Sequence, residues 1–143
     1  HFASLQNALM ASLQDLIVKN QVQTFLSGAL PGFDSLAALN VLFLKRFYPQ
    51  VQLVLSLPYK EMPKEWEPAQ NSVFQDIWQR ADEVFYCDSA YFKGCSRMRD
   101  RFLVENSAFC LCYYRHAFWE QPFLLRYAEE QKLHIVNMAQ NDT

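Results

Sequence analysis

VQTFLSGALPGFDSLAA, from Val22 to Ala38, sets the architecture of this chain. It reads as a buried strand over Val22–Ser27, a loop holding Gly28 and Gly32, and a helix opening at Asp34. A strand that stops in a glycine loop and restarts as a helix leaves backbone N–H groups free at the helix mouth, and such a mouth favours an anion. Two of the three glycines in the chain sit here. The loop is neither the dinucleotide fingerprint nor a P-loop, because the third glycine and the Lys-Ser/Thr pair are absent. The plain alternative is an ordinary strand-to-helix turn in which Asp34 caps its helix and the glycines take φ > 0.

On the C-terminal side, the helix Asp34–Phe47 is apolar nearly all round, carries Lys45 and Arg46 at its C-terminal end, and is stopped by Pro49. On the N-terminal side, Leu5, Leu9, Leu13, Leu16 and Ile17 form one stripe of a helix over Phe2–Lys19. The remaining pattern repeats the unit. Strands are expected at Val51–Leu57, Glu83–Cys87, Ala108–Tyr114 and Leu133–Met138, and helices at Ala69–Ala81, Cys95–Asn106 and Pro122–Lys132. Alternating helices and near-continuous apolar strands predict one α/β domain over residues 1–143: a three-layer fold with a mainly parallel five-stranded sheet covered on both faces. In such sheets ligands sit outside the carboxyl ends of the strands. Those ends are the loops 28–33, 58–68, 88–94 and 115–121, which hold all three glycines and most of the stray aromatics.

The 143 residues, 51% of them hydrophobic, suffice for a real core. A net charge of -2 supplies no basic field for a long nucleic acid. No apolar run reaches membrane-spanning length and the start does not resemble a signal peptide, so the expected location is cytoplasmic. Cys87, Cys95, Cys110 and Cys112 match no zinc spacing; they are expected to be reduced thiols, and no metal site or cofactor is expected.

Among the carboxyl-end loops, Tyr59, Trp66 and Tyr91 are placed to stack a base or sugar, or to pack the loops themselves. Arg97, Arg99 and Arg101 are spaced by two and so spread round their helix; Arg99, beside Asp100 and beneath Gly94, is the one placed for a phosphate. His116 shares the last loop with Trp119 but has no carboxylate or serine partner at a catalytic spacing, and His134 falls inside a strand. No nucleophile elbow, triad, HExxH or carboxylate pair is present, so the chemistry leaves open whether this is an enzyme and names no catalytic residue.

GALPGFDSLAA, LPY, the Trp66 loop, ADEV, the run Tyr91-x-x-Gly94-Cys95 continuing to RDRFLVENS, and IVNM together resemble the YspA-like family of uncharacterised bacterial proteins, in the SLOG superfamily of Rossmann-like domains. The resemblance runs from about Leu5 to Met138. It implies binding of a nucleotide or nucleotide-derived ligand at the carboxyl ends of the sheet, with Gly28, Gly32 and Asp34 on the family's G-A-x-G-x-D turn. Tyr59 and Trp66 match its aromatic loop, and Tyr91, Gly94, Arg99 and Asp100 match its Y-x-x-G and R-N/D positions. The sequence departs from the family in three places. Family members begin with one more strand, ending in a Gly-His-Arg-like turn, which would make six strands. Pro31 replaces a common glycine. W-E-Q-P stands where a Gly-Gly-Thr turn is usual, and the phosphoribohydrolase signature of the superfamily is absent.

The resulting expectation is a domain that binds or senses a nucleotide-derived small molecule lying across Gly28–Asp34. Arg99 would sit on a phosphate, Tyr59 or Trp66 against a ring, and Asp34 would cap the helix or bond a ribose hydroxyl. The alternatives are an enzyme hydrolysing such a molecule and a DNA-processing-type binder of single-stranded DNA, the latter disfavoured by the charge. A homo-oligomer is left open.

Overall fold

The alternation of apolar strands and amphipathic helices produces five helix–strand units in order. The computed structural model describes residues 2–61, 65–115 and 121–141. Helix α1 (Phe2–Val18) leads into β1 (Thr24–Ser27), α2 (Phe33–Lys45), β2 (Gln52–Tyr59), α3 (Pro68–Arg80) and β3 (Glu83–Asp88). Then come α4 (Cys95–Glu105), β4 (Phe109–Cys112), α5 (Phe123–Glu130) and β5 (His134–Asn137), with a short 3-10 turn over Met138–Asn141. The expected α/β class is the observed one. Its strands do not form a continuous ladder, however: β1-β2-β3 make one parallel sheet and β4-β5 another. Phe33, the first residue of α2, stacks on Tyr113, just past β4, with centroids 6.0 Å apart. The two sheets therefore present their carboxyl ends together.

The core lies mainly against the first sheet. The α1 stripe buries Leu9, Leu13, Leu16 and Ile17, and every residue of β2 from Leu53 to Pro58 is buried. The expectation that Pro58 ends this strand is corrected. Proline lacks only a donor, so β2 runs through Pro58 and still pairs Leu57 with Tyr86 and Tyr59 with Asp88. Asn40 is buried among these apolar groups without cost in hydrogen bonds: it exchanges side-chain bonds with Gln6 (2.6 and 3.1 Å) and donates to the Leu36 carbonyl at 2.8 Å. At the opposite end of the sheet, Asp82 ties β2, β3 and α2 together. It accepts from the Leu53 N–H at 2.8 Å and pairs with Lys45.

Two of the three arginines on α4 are structural. Arg97 lies over the Phe123 ring at 4.4 Å, and Arg101 is 5.8 Å from both the Phe123 and Tyr127 rings, which fastens α4 to α5. No helix among the described residues is long and apolar enough to cross a membrane.

Candidate functional site

The turn after β1 is built by two residues of positive φ and a set of short-range hydrogen bonds. Gly32 has φ +96° and Ala29 φ +55°, both in the left-handed region, so the chain reverses tightly after Ser27. The Ser27 hydroxyl accepts the Ala29 N–H at 3.0 Å. Ser35 closes the loop from the helix side, its N–H and hydroxyl both donating to the Leu30 carbonyl, at 3.1 and 2.8 Å. The helix starts one residue earlier than its sequence pattern suggests. Gly32 is the N-cap and makes no side-chain cap bond, so Asp34 is not the cap. Its carboxylate instead accepts the Leu30 N–H from within the first turn.

Gly28 needs no positive φ; what it needs is space. A Cβ there would lie 2.8 Å from Nη1 of Arg99 and 3.3 Å from Oδ2 of Asp34. The Arg99 guanidinium thus occupies the volume that a side chain at position 28 would take. Arg99 reaches this place from the second turn of α4, whose first residue follows Gly94 at φ +90°. It is only 6% exposed. Its Nε donates to Asp100 at 2.8 Å, while Nη1 is buried with no hydrogen-bond partner, alone in this respect among the described side chains. Burial pushes the Asp34 carboxyl above the usual carboxylate range, against the opposing pull of the Arg99 guanidinium and the Leu30 N–H.

These groups open into a cavity of about 610 Å³ between β1 and β4. Gly28, Asp34, Arg99 and Asp100 line its carboxyl end, with Leu30, Phe33 and Tyr113 as apolar wall. Cys110 lines it as well. The two neighbouring thiols of Cys110 and Cys112 act on each other, which holds Cys110 below and Cys112 above the usual thiol range. No group of three or more metal-ligating side chains occurs among the described residues.

The remaining predicted site residues lie elsewhere. Gly32 and Gly94 shape their turns, and a Cβ on either would meet nothing within 4 Å. Trp66 packs edge-on against Phe74, centroids 5.3 Å apart, and belongs to the margin of the core. Its company of charges in the sequence made it look like a loop aromatic, but its ring is used in packing. Tyr59, at the end of β2, and the exposed Tyr91, in the loop after β3, form their own edge-to-face pair at 5.7 Å. Neither lines the cavity beside Arg99. His116 and Trp119 fall outside the described residues. Phe33, Leu30 and Tyr113 escaped the sequence reading, since apolar residues flanking a glycine turn look like core; only the tertiary approach of the two sheets reveals their shared wall.

A sequence model of the YspA SLOG family matches residues 1–139. An uncharacterized SPbeta prophage-derived protein, YoqJ of Bacillus subtilis, is 30% identical over 80 residues, covering 56% of this chain and 47% of that protein. A UPF0398 protein of Halalkalibacterium halodurans is 28% identical over 100 residues (68% of this chain, 53% of that protein). Another from Brevibacillus brevis is 28% identical over 117 residues, 78% and 60%. The chain therefore matches about half the length of these relatives.

Proposed function

This chain belongs to the YspA SLOG family, and from that premise we propose that it binds or senses a nucleotide-derived small molecule at the carboxyl ends of its sheets. The observation that carries the reading is Nη1 of Arg99: a buried guanidinium nitrogen with no partner, held against Gly28 at the mouth of a cavity. An unmet buried donor costs stability, and a phosphate oxygen is the acceptor that guanidinium geometry suits. The first turn of α2 adds N–H groups with a favourable dipole. Asp34 repels a phosphate set directly on it, so it is assigned to a ribose hydroxyl. The apolar wall of Leu30, Phe33 and Tyr113 takes the ring, in place of Tyr59 or Trp66.

A thermal-shift screen with nucleotides and ADP-ribose-like compounds tests this. At least one such compound should raise the melting temperature of the wild-type protein. One charge-assisted bidentate contact contributes about 1.5–3 kcal/mol, so Arg99→Ala should weaken binding of that compound roughly 10- to 150-fold. Unchanged affinity in Arg99→Ala would remove Arg99 from the site, and the absence of any shift across the panel would remove the ligand class. A second reading, hydrolysis of the same ligand, draws on Asp34: a cavity carboxyl with a raised pKa is the kind of group that serves as a general acid. Turnover of a bound compound, lost in Asp34→Asn, distinguishes an enzyme from a sensor.

A further inference from the structure

We propose that the free edge of β3 is a homodimer interface, on which a second copy of this chain docks its own β3 antiparallel, with Phe85 on the two-fold axis. β3 ends the first sheet: it pairs with β2 on one side and, among the described residues, with no strand on the other. A row of backbone N–H and C=O groups at such an edge is a template for another strand, and proteins blunt it with lysine, proline or an inward-pointing charge. The centre of this edge, Val84-Phe85-Tyr86-Cys87, has none of these; its charges, Glu83 and Asp88, stand at the two ends.

Side chains on both faces of the edge are apolar. On the α4 face Phe85 meets Phe102, with centroids 5.9 Å apart, and Met98, one helical turn before Phe102, extends the same face. On the α3 face the Trp78 Nε1–H donates to the Tyr86 hydroxyl at 2.9 Å, and Lys60 lies over the Tyr86 ring. Tyr91 carries the surface past the end of the strand. Trp78, Phe85, Tyr91 and Met98 are each between 41% and 69% exposed. At about 200 Å² per large side chain, these four leave about 400 Å² uncovered, which is already a patch of the size that marks an interaction site. Two copies supply about 800 Å² from these groups alone, and Tyr86, Phe102 and the paired backbones bring the total toward the ~1,200–2,000 Å² of a stable interface.

The occupant is a second copy because the strand is complementary to itself. In antiparallel pairing centred on Phe85, that ring faces its own copy, Val84 faces Tyr86 and Glu83 faces Cys87, so apolar groups meet and Glu83 never opposes Glu83. Asp82 falls opposite Asp88, and the Asp82 charge is already met by Lys45. No residue of β3 lines the cavity beside Arg99, so the interface stands whatever that site binds.

Sedimentation equilibrium of the full-length protein tests this. The wild type should dimerise with a Kd of about micromolar or tighter. Phe85→Glu and Phe85→Lys each set like charges across the axis and should weaken the dimer roughly 100-fold or more. Mixed in equal amounts, the two variants should pair with each other and regain a dimer, because position 85 opposes itself. Phe2→Glu, at an exposed phenylalanine of α1, should leave dimerisation unchanged. A wild type that stays monomeric at its highest soluble concentration would overturn the proposal. So would a dimer that survives both Phe85 substitutions, or one that both abolish and mixing fails to restore, which would take the axis away from Phe85. Hydrogen exchange on the wild type decides if either variant fails to fold. The β3 amides that β2 leaves free should gain protection as protein concentration rises. Protection already complete in the monomer would assign the edge to another segment of the same polypeptide, and amides open at every concentration would leave it to a different partner; either result overturns the proposal.

Discussion

The central strand β2 of the first sheet and the strands β4 and β5 of the second are made of similar material and end in different states. In β2 six consecutive residues are buried, whereas FCLC in β4 and HIVN in β5 have no fully buried residue. The difference is one of cover. β2 is flanked by two strands and faced by helices, while β4 has one neighbour and an open edge on the cavity. Apolar character makes a residue a candidate for the core; only neighbours on every side remove it from water. The same contrast explains where the candidate site lies, because the incompletely covered edge is where Arg99 keeps an unmet donor.

The contrast breaks most visibly through large-to-small substitutions. Leu55→Ala, at 0% exposure in the centre of β2, should cost about 2–5 kcal/mol, and Leu111→Ala less than half as much, read as denaturant midpoints at constant slope. Equal costs in the chain of residues 1–143 would mean that β4 is as well packed as β2.

A smaller effect separates the two kinds of glycine. Gly28→Ala sets a methyl 2.8 Å from the Arg99 guanidinium, so the arginine must move. The expected overpacking cost is about 1–3 kcal/mol, together with weaker binding of any compound identified for the wild type. Gly32→Ala meets no atom within 4 Å but forces φ +96° on an L-residue. It should cost about 1–2 kcal/mol and leave the affinity much less changed. If Gly28→Ala bound as tightly as wild type, contact between position 28 and Arg99 would have no role in recognition.

The smallest effects are in pH dependence, and their signs are opposite in the two places. The folded-state pKa of Asp34 is raised, chiefly by burial, so ionisation of this group destabilises the fold at neutral pH, and the penalty fades as pH falls toward the ordinary carboxylate value of 3.8. Asp34→Asn, which can still accept the Leu30 N–H, should therefore melt higher than wild type near pH 7 and converge with it near pH 3.8. For Asp82, burial acts upward but is outweighed by the Lys45 bond and pairing and by the Leu53 N–H, so the folded pKa is lowered. Its contribution is present above pH 3.8 and is lost as pH falls through the lower folded value. Asp82→Asn should melt lower than wild type at pH 7, modestly because the pair is partly solvated. Melting curves from pH 3 to 8 read both signs, and an Asp34→Asn protein less stable than wild type at pH 7 would contradict a penalised Asp34 carboxylate.

Much of this was legible along the chain. The 3.6-residue stripe of Leu9, Leu13 and Leu16, the apolar runs around Leu53 and Leu111, and Gly32 and Gly94 before helices are local patterns, and local patterns determine which segments become helix, strand or turn. The family also followed from short motifs. Tertiary structure alone decided what the patterns leave degenerate. Trp66 looks like a free aromatic and is packing. Arg97, Arg99 and Arg101 look alike, yet two lie on aromatic rings of α5 and one is buried against Gly28. The alternation of strands predicts a parallel sheet but not the gap between β1 and β4. Strand neighbours are chosen by packing across long sequence separations, and no window of the sequence contains both edges of that gap.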